Sequence, residues 1–95
     1  MYIASGILKY KIHECFSLKQ KRSHVKPIIS KIQNEFNASV CEAGSLDKYQ
    51  IAEIGFSMVS NDKNVLNSKV DKLFNLAESS ALAELIDSEY DIYSF

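Results

Sequence analysis

The residues with the clearest chemical potential form a basic cluster in the stretch "SLKQKRSHVKP", from Ser17 to Pro27. This stretch holds five positive or potentially positive side chains and no acid, although the formal net charge of the whole chain is −1. Side chains of this kind contact the phosphates of nucleic acid or the acidic surface of a protein. The cluster therefore predicts a binding surface, and its candidate residues are Lys19, Lys21, Arg22 and Lys26.

Cysteine and histidine are the other residue types that could do chemistry. Cys15 could act as a nucleophile beside His13 or His24, because a nearby helix start favours the thiolate. No third group lies at a spacing that would orient such a pair, and the spacings of His13, Cys15 and Cys41 match no common metal site. We therefore expect no catalytic residue, no metal and no cofactor, and we expect both thiols to be reduced.

Length and composition limit the possible architectures. The 95 residues are expected to form one domain, residues 1–95, and a hydrophobic content of 46% is typical of globular proteins. Apolar runs are too short to cross a membrane. The alternating N-terminus "MYIASGILKYKIH" does not resemble a signal peptide, so a cytoplasmic location is expected.

Charge is divided unevenly along the chain. Through Phe36 there are seven Lys or Arg residues against two acids, a net charge of +5. From Asn37 onward there are four Lys residues against ten acids, a net charge of −6. Such a division predicts one basic and one acidic face.

Hydrophobic periodicity predicts the elements that position the basic cluster. From Tyr2 to His13 the period is two, which indicates a strand with Leu8, Tyr10 and Ile12 on one face. After the candidate N-cap Ser17 the period becomes that of an amphipathic helix. Its apolar stripe is formed by Leu18, Val25, Ile28, Ile29, Ile32 and Phe36.

The basic residues have a defined place on this predicted helix. Lys19, Arg22 and Lys26 follow one flank of the apolar stripe, whereas Lys21 lies nearer the apolar side. No acid is four residues from any of the three flank residues, and the helix dipole disfavours cations near the N-terminus. This departure from a sequence chosen for stability indicates a function, although a merely solvated helix face is the alternative.

The remaining patterns complete the predicted fold. "ASVCEAG" and "QIAEIGFSMVS" indicate two strands, and Ser60 to Asp62 begin a second amphipathic helix. The last strand is "ELIDSEYDIYSF", with Ile86, Tyr90 and Ile92 predicted to face inward. The order β-α-β-β-α-β predicts an α+β ferredoxin-like plait, in which two helices cover one face of a four-stranded antiparallel sheet of strand order 4-1-3-2.

Two functional classes that use this fold are not favoured. RNA-recognition motifs stack bases on aromatic residues of the open sheet face, but Phe56 is predicted on the covered side and Glu53 would repel phosphate there. Acylphosphatases need a glycine-containing anion cradle with an arginine after the first strand, whereas this chain has "ECFSL". Lys9 and Lys11 are expected to pair with acids of the last strand across the sheet.

The open face of the predicted sheet is expected to be an interface, because no third layer in this chain covers it. Six apolar residues are placed on that face or near its C-terminal end: Ile3, Ile7, Ile51, Val59, Tyr93 and Phe95. Aligned exposed apolar residues commonly mark interfaces, and symmetric dimers are the commonest assemblies. We predict a homodimer; the alternative is a monomer in which the C-terminal "IYSF" folds back over its own sheet.

Three segments resemble the signature segments of the YlxP-like family, small bacterial proteins that carry a domain of unknown function. They are "SLKQKR", "FNASVCE" and "VSND", and the resemblance covers nearly the whole chain in order and spacing. It implies a ferredoxin-like fold and no established activity or catalytic residue. Genes of the family often lie among those for transcription termination, translation initiation and ribosome maturation factors, which implies a role near structured RNA.

Together these patterns predict a non-enzymatic binding protein whose partner is ribosomal or other structured RNA. The four candidate basic residues would contact phosphates and recognise shape, since no stacking residues are expected beside the charges. The alternative is a protein–protein adaptor in which the same helix meets an acidic partner surface.

Overall fold

The structure of the protein, a computed structural model, describes residues 1–80 and 83–95. Its elements are β1 (Tyr2–Ile12), α1 (Leu18–Phe36), β2 (Ser39–Gly44), β3 (Ile51–Ser60), α2 (Lys63–Ala77) and β4 (Ala83–Ser94). All neighbouring strands are antiparallel, in the spatial order β2-β3-β1-β4. The predicted ferredoxin-like plait and its strand order are confirmed. Neither described helix has the length and apolarity that crossing a bilayer requires.

Both helices begin at the side-chain caps that the sequence predicts. Ser17 Oγ accepts a hydrogen bond from the Gln20 backbone N–H at 3.1 Å, and Asp62 Oδ1 accepts one from the Asn64 N–H at 2.9 Å. These bonds satisfy amides of the first turn that have no partner within the helix. α1 ends at Asn37, whose φ of 49° places it in the left-handed region that asparagine tolerates.

The core lies between the helices and one face of the sheet. Leu8, Tyr10 and Ile12 of β1 are buried, as the period of two predicts, and so are Ile54 and Phe56 of β3. The apolar residues that the helices contribute to this core with no exposed surface are Ile32, Leu66, Val70 and Leu73. The opposite face of the sheet has no layer over it in the described part of the chain.

β4 departs from the prediction at one residue. Lys9 lies opposite Asp87, but the next residue, Tyr10, lies opposite Leu85, so Ile86 is the extra residue of a β-bulge. Leu85 packs against the core, whereas Ile86 is 45% exposed. The inward placement predicted for Ile86 is therefore wrong, because a bulge shifts the alternation of side chains by one residue.

Tyr10 connects the middle of the sheet to the end of α2. Its side chain is fully buried, and its hydroxyl donates a hydrogen bond to the Ala77 carbonyl at 2.9 Å. Burial raises the pKa of the Tyr10 phenol far above its usual value, and the negative charge of Glu78 raises it further. The phenol therefore stays protonated in the folded chain at pH values that ionise it in the unfolded chain.

Tyr10 should make the protein lose stability in alkali. In the unfolded chain the phenol ionises near a pKa of about 10. The contribution of Tyr10 to the free energy of unfolding is therefore complete below that pH, and above it the free energy falls by up to about 1.4 kcal/mol per pH unit. Tyr10→Phe should cost about 1 kcal/mol at neutral pH through the lost hydrogen bond and should reduce the alkaline decline. Urea denaturation followed by circular dichroism, from neutral pH to about pH 11, measures both effects.

Tyr49→Phe is the matched control, because Tyr49 is 48% exposed. It should show the same alkaline decline as the wild type. An unchanged decline in Tyr10→Phe would contradict the assignment to Tyr10.

Candidate functional site

The structure divides the predicted basic cluster into exposed and buried members. Lys19, Arg22 and Lys26 are exposed on α1, whereas the side chain of Lys21 is only 2% exposed. The spacings of three and four residues keep the three exposed cations on one flank of the helix. Lys21 is therefore removed from the predicted contact surface, because a buried ammonium cannot reach RNA or a partner protein.

Lys21 instead joins α1 to β2 and to the segment that follows β2. Its Nζ donates a hydrogen bond to the Ser45 carbonyl at 2.7 Å and lies 2.8 Å from Glu42 Oε1. Glu42 lies opposite Ile54, so it is on the helix-covered side of the sheet. Although Glu42 Oε1 is close to the ammonium, it accepts no hydrogen bond of good geometry, so charge attraction is what holds it there.

Burial of Lys21 also changes the position predicted for Leu18. Leu18 was expected in the core, but it is 36% exposed, and Lys21 occupies the buried position near the start of the helix. A lysine stem is apolar along most of its length, so it can take part in the buried stripe when its charged end finds partners.

Two loops lie beside the first turn of α1: residues 13–17, between β1 and α1, and residues 45–50, between β2 and β3. The Ile12 N–H donates a hydrogen bond to the Gln50 carbonyl at 2.8 Å. The side-chain amide of Gln50 donates in turn to the Cys15 carbonyl at 3.3 Å. Strand pairing and these bonds hold the two loops together at one end of the sheet.

Each loop exposes an aromatic ring. Phe16 is 70% exposed and Tyr49 is 48% exposed, and Leu46 adds an apolar side chain that is 62% exposed. We call the surface formed by Phe16, Lys19, Arg22, Leu46, Lys48 and Tyr49 the loop-end surface. The expectation that no aromatic residue accompanies the charges is therefore corrected.

A local signal for Phe16 was present in the sequence. Phe16 precedes the N-cap Ser17, and an apolar residue at that place usually packs against the fourth residue of the helix. That fourth residue is Lys21, so Phe16 has no apolar partner of this kind. Tyr49 carries no comparable signal, because only the pairing of β2 with β3 brings its loop to the helix.

The cysteines and histidines that could form a nucleophilic or metal site are separated. Cys15 is fully buried, and its Sγ donates to the Ser17 carbonyl at 3.5 Å. His13 Nε2 lies 3.0 Å from Glu84 Oε2, and Cys41 is an exposed free thiol on β2. Each of these groups has a different set of neighbours.

The predicted apolar patch on the open sheet face is only partly continuous. Ile3 lies directly opposite Val59 on β3 and Tyr93 on β4, so these three form one row across the sheet. Phe95 is 88% exposed beside this row, and its backbone N–H donates to the Met1 carbonyl at 2.7 Å. The C-terminus is thus tied to the N-terminus at the edge and leaves the Phe95 ring in solvent.

The other two predicted interface residues lie elsewhere on the face. Ile7 is opposite Gly55 near the centre, and Ile51 is opposite Lys11 at the loop end of the sheet. Lys9 and its partner Glu53 lie between Ile7 and Ile51. The six residues therefore do not form the single patch that was expected.

A shallow depression of about 510 Å³ occupies the middle of the open face. Gly55 and Cys41 lie in it, and the hydroxyl of Ser5 is 3.3 Å from that of Ser57 and 3.4 Å from that of Tyr93. Because Gly55 has no side chain, the sheet surface is lower there than at its neighbours.

Lys21 and Lys19 should differ sharply in their effect on stability. Lys21→Met keeps the apolar stem but leaves Glu42 without its cation, which should lower the free energy of unfolding by about 3 kcal/mol. Lys19→Met, at an exposed position, should change it by less than about 0.5 kcal/mol. The double variant Lys21→Met with Glu42→Leu should recover most of the loss, because both charges are then absent.

Urea denaturation of these variants measures all three effects. If Lys21→Met and Lys19→Met lower the free energy of unfolding by equally small amounts, Lys21 is not buried as described.

Solved structures with a similar arrangement show how widely the fold is used. SnoaB, a cofactor-independent oxygenase from Streptomyces nogalater, superposes with a TM-score of 0.56 at 10% identity, covering 98% of this chain and 92% of that one. A de novo designed protein with a ferredoxin fold gives a TM-score of 0.51 at 12% identity, covering 100% of this chain and 88% of the design. At these identities the likeness concerns the fold alone.

Sequence comparison gives a more specific relationship. The uncharacterized protein YlxP of Bacillus subtilis (strain 168) is 31% identical over 68 residues, which is 72% of this chain and 74% of the relative. The family model described as a protein of unknown function, DUF503, matches residues 3–90. The resemblance expected from the three sequence segments is confirmed, and the chain belongs to the DUF503 family.

Proposed function

We propose that this protein is a non-enzymatic, cytoplasmic binding protein for structured RNA, and that Lys19, Arg22 and Lys26 contact RNA phosphates. The observation that carries the proposal is that these three cations are exposed together on one flank of α1 and have no partner in the described part of the chain. Among the described residues, none of the three has a carboxylate within 4 Å. Cations that stabilise the folded chain by pairing would be expected to have one.

The position of the three cations on the helix supports the same function. The first turn of α1 contains no acid, and Lys19 lies within it, where the positive end of the helix dipole opposes its charge. A bound phosphate would offset this repulsion, because anions are favoured at helix N-termini.

The spacing of the cations suits a polyanion. Lys26 is seven positions after Lys19, which corresponds to about 10 Å along the helix axis. Phosphates of one nucleic-acid backbone are regularly spaced over such a distance, so several can be neutralised together. Binding of this kind recognises the shape of the backbone and does not read bases.

RNA binding should depend on salt and on the exposed cations. Lys19→Ala and Arg22→Ala should each weaken binding to a structured RNA and should each reduce the slope of log K against log salt by about 0.9. Filter binding or fluorescence anisotropy at several salt concentrations measures this slope. Lys72→Ala, on the exposed side of α2, is the matched control and should bind like the wild type.

Absence of RNA binding at low salt would exclude the proposal. Binding to an acidic protein in place of RNA, lost in the same two variants, would indicate the adaptor function.

We also propose that two copies associate through the open faces of their sheets. The edges of the sheet are poorly suited to association. β4 exposes Asp87, Glu89 and Asp91, so pairing it with a second β4 would bring like charges together. β2 is short and has an irregularity between Glu42 and Gly44. A second copy therefore fits the open face better than either edge.

A two-fold axis that runs along the strands, between β1 and β3, makes the two faces complementary. Within one copy, each β1 residue has a strand partner on β3. In the dimer it then faces that same β3 residue of the second copy. Ile7 would enter the depression at Gly55, and Lys9 would meet Glu53. Apolar contact and charge attraction both favour this arrangement.

The dimer should be detected by light scattering in line with size exclusion, as a species of twice the 10.7 kDa chain mass. Ile7→Asp should dissociate it, because a carboxylate would then enter the depression. Ile51→Asp is the control and should leave the dimer intact, since Lys11 of the second copy would lie opposite the new acid. A monomer at high micromolar concentration would contradict the proposal, and a dimer that survives Ile7→Asp would indicate edge pairing.

A further inference from the structure

We propose that the loop-end surface binds unpaired bases, which stack on Phe16 and Tyr49 while the neighbouring cations hold the backbone. The inference rests on the proposed RNA binding and makes it more specific. The ligand class becomes RNA with a loop, bulge or single-stranded segment, in preference to uniform duplex.

The backbone around Phe16 is fixed while its ring stays in solvent. The Phe16 N–H donates a hydrogen bond to Gln20 Oε1 at 2.8 Å. Cys15, on one side, is fully buried, and Ser17, on the other, caps the helix. Because both neighbours are anchored, the backbone at Phe16 is held in place while its ring is 70% exposed. A large apolar ring held outside in this way is ready to contact a ligand.

The loop that carries Tyr49 is anchored in a similar manner. The Lys48 N–H donates to the Ser45 carbonyl at 3.1 Å, which closes a turn before Tyr49. Ser45 has a φ of 54°, a left-handed conformation that residues other than glycine rarely adopt. Its carbonyl also accepts the hydrogen bond from Lys21, and Gln50, after Tyr49, bonds to the neighbouring loop.

The backbone segments that carry the two rings are joined by a hydrogen bond between the neighbours of Phe16 and Tyr49. The hydrogen bond from the Gln50 side chain to the Cys15 carbonyl joins the residue after Tyr49 to the residue before Phe16. The two rings therefore project from adjoining backbone segments, on which successive bases could stack.

Charge around the rings favours a nucleic acid as the occupant. Lys19 and Arg22 follow Phe16 on the helix, and Lys48 precedes Tyr49. The same two loops contain the acids Glu14 and Asp47. Cations outnumber acids on this surface only when Lys19 and Arg22 of the helix are counted with Lys48. Exposed rings beside cations that track a backbone are the combination that single-stranded nucleic acid requires.

Tryptophan fluorescence gives a direct test, because the chain contains no tryptophan. Phe16→Trp places a single reporter at the proposed stacking position and keeps an aromatic ring there. Two RNAs with equal numbers of phosphates serve as probes: a hairpin with an unpaired loop and a blunt duplex. The hairpin should quench the tryptophan emission, and the duplex should leave it unchanged.

Affinity measurements complete the test. Phe16→Ala and Tyr49→Ala should each weaken hairpin binding about fivefold or more, as expected for the loss of one stacked base. They should leave duplex affinity and the salt slope unchanged, in contrast to Lys19→Ala. Phe95→Ala removes an 88% exposed ring from the opposite end of the sheet and should have no effect.

Each outcome distinguishes the two proposals. Equal binding of hairpin and duplex, with the effect of Lys19→Ala retained, would overturn base stacking and leave phosphate contact in place. No binding of either RNA would overturn both. Loss of a host protein partner in Phe16→Ala, with hairpin affinity unchanged, would overturn stacking and assign the loop-end surface to a protein.

Discussion

A buried ammonium group determines how the first helix meets the sheet. Lys21 is inside the protein, where an unpaired charge would greatly destabilise the fold. The start of α1 must therefore lie where the ammonium reaches Glu42 and the Ser45 carbonyl. Strand pairing places the segment after β2 next to the loop before α1, and the Lys21 contacts attach that segment to the helix. One lysine of the basic cluster is thus used within the fold, where it helps to hold the loop-end surface together.

The surfaces of the molecule differ in their chemistry. Exposed cations lie near Phe16 and Tyr49, where β1 ends and β3 begins. The apolar row of Ile3, Val59 and Tyr93 lies at the other end of the sheet, beside the two chain termini. The proposed base stacking uses the two loops, whereas the proposed dimer uses the open face, which reaches the loop end at Ile51 and Lys11. With a two-fold axis along the strands, both loop ends of a dimer would point in the same direction.

Local periodicity was sufficient to predict the fold, because β1, β3 and both helices each have one buried face with a regular period. The errors arose where a residue outside the element decides its position. Ile86 is displaced by a bulge in the pairing with β1, and no pattern within β4 indicates that bulge. Lys21 replaces Leu18 in the buried stripe because Glu42, distant in sequence, neutralises it. Tyr49 joins the candidate site through strand pairing alone, so only the three-dimensional structure shows that it lies beside the helix.

The contact between Lys21 and Glu42 also affects the motions of β2. This strand is at the edge of the sheet and pairs only with β3 among the described strands, and its residues are all exposed or half-buried. Edge segments of this kind open locally at lower free energy than the centre of a sheet. The ion pair is an attachment of β2 to a second element, α1. Amide hydrogen exchange in β2 therefore reports how firmly α1 is seated, and anything that shifts the start of α1 changes the lifetime of the edge strand.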